Sequence, residues 1–121
     1  MEVRVFGVRK NAATRAALRF FAERRVRTHF VDMAERPASP GELRRFAQKF
    51  GASALVDRDS RRYADLGLAH ARLPDERWIE KLALEPLLLR MPLVRCQQRV
   101  TVGAAEDEWR AWVDAGRDPA G

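Results

Sequence analysis

Alternating apolar and polar positions predict four short strands. In the range Glu2–Phe6, two valines alternate with polar neighbours, which is the period-two pattern of a half-buried strand. A second strand is predicted at Thr28–Asp32. Much later in the chain, Pro92–Arg95 and Arg99–Val102 are separated by a few polar residues and predict a hairpin.

The segments between these strands have the sequence patterns of helices. The range Ala12–Arg25 consists of good helix formers, and Asn11 before it is a preferred N-cap residue. A second helix is predicted to begin at Ser39, because Pro40 suits the first helical position and Glu42 follows three residues after the cap. Its apolar residues recur at i, i+3, i+4 and i+7, and they are Leu43, Phe46, Ala47 and Phe50.

The remaining helical signal lies in two places. The range 51–85 contains a short predicted helix at Ser60–Leu68 and another that opens at Pro74–Asp75. A closing helix begins near Ala104, with an acidic first turn that suits the positive end of the helix dipole. The order β-α-β-α-helices-β-β-α predicts an α/β fold in a single domain over residues 1–121, with a helical insertion at about 51–85.

Composition narrows the function classes. The 121 residues carry a net charge of +6, but the arginines are scattered among acids, which favours a solvated surface over a nucleic-acid-binding face. No apolar stretch approaches the roughly 20 residues that a membrane helix needs. Charges at Glu2 and Arg4 do not fit a secretion signal, so we expect a cytoplasmic protein without membrane contact.

The single cysteine, Cys96, excludes an intramolecular disulfide and any CxxC chemistry. His29 and His70 are far apart in sequence without clustered ligands, so we expect no metal site. Two interpretations of Cys96 remain open. It is either an inert side chain of the late hairpin or a redox-reactive thiol whose thiolate Arg95 and Arg99 would stabilise.

Several short motifs carry a family resemblance through their order and spacing. They are Val5–Gly7, Thr14–Ala17 with Phe20–Phe21, Tyr63–Leu68, Met91–Val94, and Val102–Gly103 followed by Glu106–Glu108. Together they cover nearly the whole chain and resemble the arsenate reductase (ArsC) family and its regulatory relatives, the Spx proteins. The resemblance implies a thioredoxin-like fold, in which a four-stranded mixed sheet is flanked by helices.

The resemblance also implies a particular residue at the start of the first helix. In the family, a cysteine there is the nucleophile, because a helix N-terminus lowers the pKa of a thiol and holds an oxyanion. The matching position here is Asn11, and the second cysteine of Spx-type members matches Thr14. Asn11 is therefore either only a helix cap or part of an anion- or peptide-binding pocket together with Arg9, Lys10 and Arg15.

A second departure from the family pattern concerns the arginines that clamp the anion in arsenate-reducing members. The arginine before the late-strand proline matches Met91, with Arg90 one residue earlier. Another family arginine aligns nearest Asp57, beside Arg58. The resemblance implies a cis peptide bond at Pro92, which either serves the fold or contacts an extended peptide or a glutathione-like backbone.

These observations favour a non-catalytic member of the family, a pseudoenzyme that binds a protein partner or a small anionic ligand near the first helix. The predicted ligand-binding residues are Arg9, Lys10, Asn11, Thr14, Arg15, Arg58, Arg90, Met91 and Pro92. No catalytic residue and no cofactor are predicted, and glutathione enters only through the resemblance. One alternative is a glutathione- or thioredoxin-linked thiol oxidoreductase of the arsenate reductase type, working through Cys96 or through the thiol of a partner. The other is an Spx-like transcription regulator.

Overall fold

A computed structural model describes residues 1–116, and this part of the chain contains four strands and five α-helices. In chain order they are β1 (Glu2–Gly7), α1 (Ala12–Glu23), β2 (Arg27–Asp32), α2 (Pro40–Phe50), α3 (Arg61–Asp65), α4 (Asp75–Leu84), β3 (Leu93–Cys96), β4 (Arg99–Val102) and α5 (Glu106–Gly116). Two short 3₁₀ turns, Ala52–Leu55 and Pro86–Leu88, lie on either side of α3 and α4.

The four strands form one mixed sheet in the order β2-β1-β3-β4. Strand β1 is parallel to β2, and β3 is antiparallel to both β1 and β4. A parallel pair needs a crossover connection, which α1 supplies between β1 and β2. The predicted four-stranded sheet with flanking helices is therefore confirmed.

The described chain divides into two compact units, and the first comprises residues 1–32 together with the chain from residue 91. Here α1 and α5 bury their apolar faces against the valines of the sheet. The Trp109 ring lies 5.7 Å from Phe20 and 5.4 Å from Phe21, measured between ring centroids. The Nε1 hydrogen of Trp109 is donated to Thr101 Oγ1 at 2.8 Å, so the buried indole has a polar partner.

Helix α1 ends earlier than its sequence predicts. Its last residue is Glu23, whereas the pattern of helix formers extends to Arg25, which adopts a left-handed φ of 57°. The backbone N–H of Arg25 donates to Ala22 and that of Val26 donates to Phe21. These two bonds form a Schellman motif, which satisfies the last carbonyls of the helix without a glycine.

The second unit is Met33–Arg90 and contains α2, α3 and α4, so the predicted helical insertion lies within it. Leu43 and Phe46 of α2 are buried, whereas Phe50, the last position of the apolar repeat, is only partly buried. Helix α3 is shorter than the predicted range because Gly67, with a φ of +65°, turns the chain after Leu66. The interpretation of the whole chain as one domain stays a prediction.

Within residues 1–116, no helix combines the length and the hydrophobicity that would be required to cross a membrane.

Candidate functional site

Asn11 caps the N-terminus of α1, as its position in the sequence predicts. Its backbone is extended, with φ −80° and ψ 123°, and its carbonyl accepts the first intrahelical bond from Arg15 N at 3.1 Å. The side-chain Oδ1 accepts two hydrogen bonds from Thr14, one from the backbone N–H at 2.7 Å and one from the hydroxyl at 2.9 Å. One oxygen therefore satisfies both an orphan donor of the helix and a side-chain hydroxyl.

Thr14 is fully buried, and its side chain fills the space beside the end of β1. A Cβ added to Gly7 would lie only 2.6 Å from Thr14 Cγ2, far inside van der Waals contact. Glycine at the last position of β1 is thus required by the close approach of the threonine. Sequence reasoning identified Thr14 only as the position of a second family cysteine and missed this packing, although a polar residue on the buried face of an amphipathic helix is a usable signal.

The two bonds from Thr14 also fix the orientation of the Asn11 amide. Because Oδ1 faces Thr14, the Nδ2 group is directed away from it. Among the described residues, no hydrogen bond from Nδ2 to a protein acceptor is found, and Asn11 is partly exposed. At the N-terminus of α1, the Asn11 Nδ2 group is therefore a hydrogen-bond donor that faces solvent.

Three exposed cationic side chains belong to residues near the N-terminus of α1: Arg9, Lys10 and Arg15. Arg15 Nη1 donates to the backbone carbonyl of Arg9 at 2.8 Å, which holds the Arg15 side chain against the loop before α1. The Arg9 guanidinium lies 4.9 Å from the centroid of the Phe30 ring, and its Nε is 4.0 Å from Asp32 Oδ2. Arg9, Lys10, Asn11, Thr14 and Arg15 lie in the first turn of α1 or just before it, and their part in ligand binding stays a prediction.

The two predicted arginines of the second unit have separate partners. Arg58 Nη1 donates to the Tyr63 hydroxyl at 3.1 Å. Arg90 donates through its backbone N–H to Leu55 O at 2.8 Å and through Nη1 to Ala54 O at 3.2 Å. The Arg58 and Arg90 guanidinium groups each donate to a different oxygen of the protein. The second unit therefore does not direct these two arginines at one common acceptor.

The Met91–Pro92 peptide bond is cis, as the family resemblance implies. Pro92 is buried, and its carbonyl accepts a hydrogen bond from the backbone N–H of Gly103 at 2.9 Å. Met91 is partly buried. The carbonyl of Pro92 therefore serves the connection after β4 and has one of its lone pairs occupied within the protein.

Cys96 lies at the opposite end of the sheet from Asn11. It is the last residue of β3 and pairs with Arg99, and the neighbouring Arg95 pairs with Arg4 near the start of β1. Helix α1 follows the other end of β1, about four strand residues or roughly 13 Å away. Cys96 instead lines a shallow cavity of about 290 Å³ with Met1, Glu2, Gln97, Arg99, Trp112, Ala115 and Gly116.

Two carboxylates of the second unit have lowered pKa values. Arg62 donates two hydrogen bonds of 2.8 Å to Glu85, and these bonds lower the pKa of Glu85, assisted by the charges of Arg62 and Lys81. The hydrogen bonds from Arg44 lower the pKa of Glu76 in the same way, and the charge of Arg44 adds to the effect. Each carboxylate in turn raises the pKa of its arginine. Residues 1–116 contain no cluster of three His, Cys, Asp or Glu side chains that could hold a metal ion.

Proteins that are similar to this chain in sequence or in fold include arsenate reductases. The model of the ArsC family matches residues 6–112. The arsenate reductase of Neisseria meningitidis serogroup A is 27% identical over 105 residues, which are 84% of this chain and 90% of that protein. Among solved structures, an arsenate reductase from Vibrio cholerae has a TM-score of 0.78 at 22% identity, over 89% of this chain and 94% of its own.

An arsenate reductase (ArsC) related protein from Brucella melitensis has the same fold, with a TM-score of 0.68 at 16% identity, over 93% of this chain and 94% of its own. These structures support the thioredoxin-like fold, and the family model covers most of the chain, including the end of β1 and the cap of α1. The chain therefore belongs to the ArsC family.

Proposed function

We propose that this chain is a non-catalytic ArsC-family protein that binds a small oxyanion, or an anionic group of a protein partner, at the N-terminus of α1. The observation that carries the proposal is the Asn11 amide, whose oxygen is held by Thr14 and whose Nδ2 donor faces outward. This is the position to which the family resemblance assigns a nucleophilic thiol.

Redox chemistry at this position lacks an electron donor. Reduction of arsenate to arsenite takes up two electrons, which two thiols supply when they are oxidised to a disulfide and which a carboxamide cannot supply. The one cysteine of the chain, Cys96, lies beside the start of β1, at the end of that strand away from α1, and lines a cavity with Met1 and Trp112. The relatives that are named arsenate reductases therefore support the fold and the anion preference more strongly than they support turnover.

Anion binding needs only the groups that are present. The first N–H groups of α1 have no intrahelical acceptors, and the helix dipole is positive at this end. Lys10 and Arg15 add exposed positive charge, and Arg9 adds less because its Nε lies 4.0 Å from Asp32 Oδ2. Because each of these contributions is about 1 kcal/mol or less at an exposed site, we expect dissociation constants in about the millimolar range.

The test is a titration with sulfate and with arsenate, followed by ¹⁵N–¹H NMR at constant ionic strength. We expect saturable shifts for the amides of residues 9–15. Asn11→Asp is the matched variant, because aspartate caps a helix as well as asparagine does but repels an anion. Saturable shifts that persist unchanged in Asn11→Asp, or that map elsewhere, would refute anion binding at this helix.

The competing function is a glutathione- or thioredoxin-linked thiol oxidoreductase, which the names of the Neisseria relatives favour. Arsenate reduction by the pure protein with glutathione, or with thioredoxin and its reductase, distinguishes the two proposals. Turnover that disappears in Cys96→Ser would establish this enzyme and end the non-catalytic interpretation. The transcription-regulator alternative stays a prediction.

A further inference from the structure

The Arg9 side chain reaches from the loop after β1 to the neighbouring strand β2. Its guanidinium lies 4.9 Å from the centroid of the Phe30 ring, and its Nε lies 4.0 Å from Asp32 Oδ2. Phe30 and Asp32 are two residues apart on β2, so their side chains point to the same face of the sheet. Phe30 packs against the core cluster to which α1 contributes, so Arg9 is held on the α1 side of the sheet.

Asp32 lies where two parallel strands end beside the start of α1. It is the last residue of β2 and pairs with Gly7, the last residue of β1. Gly7 lies against the buried Thr14 side chain, which donates to the Asn11 cap. Asp32 therefore brings a negative charge close to a helix N-terminus that favours anions.

The contact between Arg9 and Asp32 is loose. Its 4.0 Å separation is longer than the distance of about 2.7–3.2 Å in a hydrogen bond. The Arg9 side chain is 73% exposed, whereas that of Asp32 is only 19% exposed. Ion pairs and cation–π contacts are weak at exposed sites, so the guanidinium can leave Asp32 for another anion at small cost.

We propose, on the basis of the anion site proposed above at the N-terminus of α1, that Asp32 limits the affinity of that site by holding Arg9 as an internal counter-ion. While Asp32 holds Arg9, a bound anion gains little from the arginine charge and depends on Lys10 and on the helix N–H groups. An anion that recruits Arg9 has to displace the Asp32 carboxylate. The carboxylate and the ligand thus compete for one guanidinium group.

The test is a sulfate titration of the native chain, Asp32→Asn, Arg9→Gln and the double variant, followed by ¹⁵N–¹H NMR of residues 9–15 at constant ionic strength. Asparagine keeps a side-chain oxygen acceptor and removes the charge of aspartate. Attraction between two unit charges about 4 Å apart in water corresponds to about a fivefold change in an equilibrium constant. We therefore expect Asp32→Asn to bind sulfate about fivefold more tightly than the native chain.

The Arg9 variants show whether Asp32 acts through the arginine. Arg9→Gln alone should leave the dissociation constant within twofold of the native value, because Asp32 already offsets the arginine charge. In the double variant, the gain from Asp32→Asn should fall below twofold. The matched control is Asp114→Asn, which makes the same change in net charge at an exposed position near the end of α5 that lies beside Met1. It should stay within twofold of the native chain.

The possible failures of this experiment have different meanings. Sulfate affinity that Asp32→Asn leaves unchanged would overturn the role of Asp32 and leave the anion site intact. A gain that persists in full in the double variant would also overturn that role, because Asp32 would then repel the anion directly and not through Arg9. The absence of saturable shifts in all five proteins would refute the anion site itself, and the role of Asp32 with it.

Discussion

Removal of the α1 cap tests how the Asn11 region is built. Asn11→Ala deletes the acceptor for the Thr14 N–H at 2.7 Å and for its hydroxyl at 2.9 Å. Loss of a cap costs about 1 kcal/mol, and a buried hydroxyl that loses its partner costs about 1–3 kcal/mol more. Because the hydroxyl can recover part of its bonding by local relaxation, we expect a total of about 2–3 kcal/mol in the free energy of unfolding measured with urea.

The matched control is the cap of α2. Ser39 Oγ accepts from the Glu42 N–H at 3.2 Å in an exposed setting and serves no buried hydroxyl, so Ser39→Ala should cost only about 1 kcal/mol. Thr14→Val removes the hydroxyl while keeping the shape of the side chain. The double variant Asn11→Ala/Thr14→Val should cost about 1 kcal/mol less than the sum of the single variants. Equal costs for Asn11→Ala and Ser39→Ala, together with full additivity, would show that the hydroxyl bond contributes nothing.

Three further variants test the surrounding structure. The pKa of Glu85 is below its ordinary value of 4.5, chiefly because of the hydrogen bonds from Arg62. The stabilisation by this carboxylate is therefore present above about pH 4.5 and is lost as the pH falls through the folded-state pKa. Urea unfolding across that pH range should show that Glu85→Gln loses less stability on acidification than the native chain does. Thr101→Val should cost about 1–3 kcal/mol, measured in the same way, because the buried Trp109 N–H loses its acceptor, whereas Thr101→Ser should largely retain stability. Gly7→Ala should lower the thermal midpoint by an amount equivalent to about 1–3 kcal/mol, since its methyl group would overlap the buried threonine beside β1.

The sequence predicts those features that depend on local chemistry. Asn11 and Ser39 are recognisable as N-caps because their side chains accept a hydrogen bond from the backbone N–H three residues later. The acidic residues in the first turn of α5 interact favourably with the dipole of the same helix. At the start of β1, Val3 and Val5 are buried and Arg4 between them is only partly buried, as the alternating pattern predicts. All of these signals are present in a window of a few residues, and the structure confirms them.

Other features depend on partners that are distant in sequence or on unusual backbone. The end of α1 is set by Arg25, an arginine in the left-handed region where glycine is the usual signal. The partners of Arg58 and Arg90 depend on how Tyr63 and the 3₁₀ turn at Ala52–Leu55 are placed in the second unit. Sequence spacing alone could not assign these guanidinium groups to separate acceptors.

The geometry at position 11 separates the structural requirement of the fold from the chemical requirement of a reductase. The helix needs an acceptor within reach of the Thr14 N–H, and the buried Thr14 hydroxyl needs the same acceptor. The Asn11 oxygen meets both needs, whereas a neutral thiol is a weak acceptor and would meet them poorly. Asn11→Cys would thus place a nucleophile at the positive end of α1 and at the same time weaken the bond to Thr14. In this chain positions 11 and 14 form a coupled pair, and the pair favours an oxygen acceptor over a sulfur nucleophile.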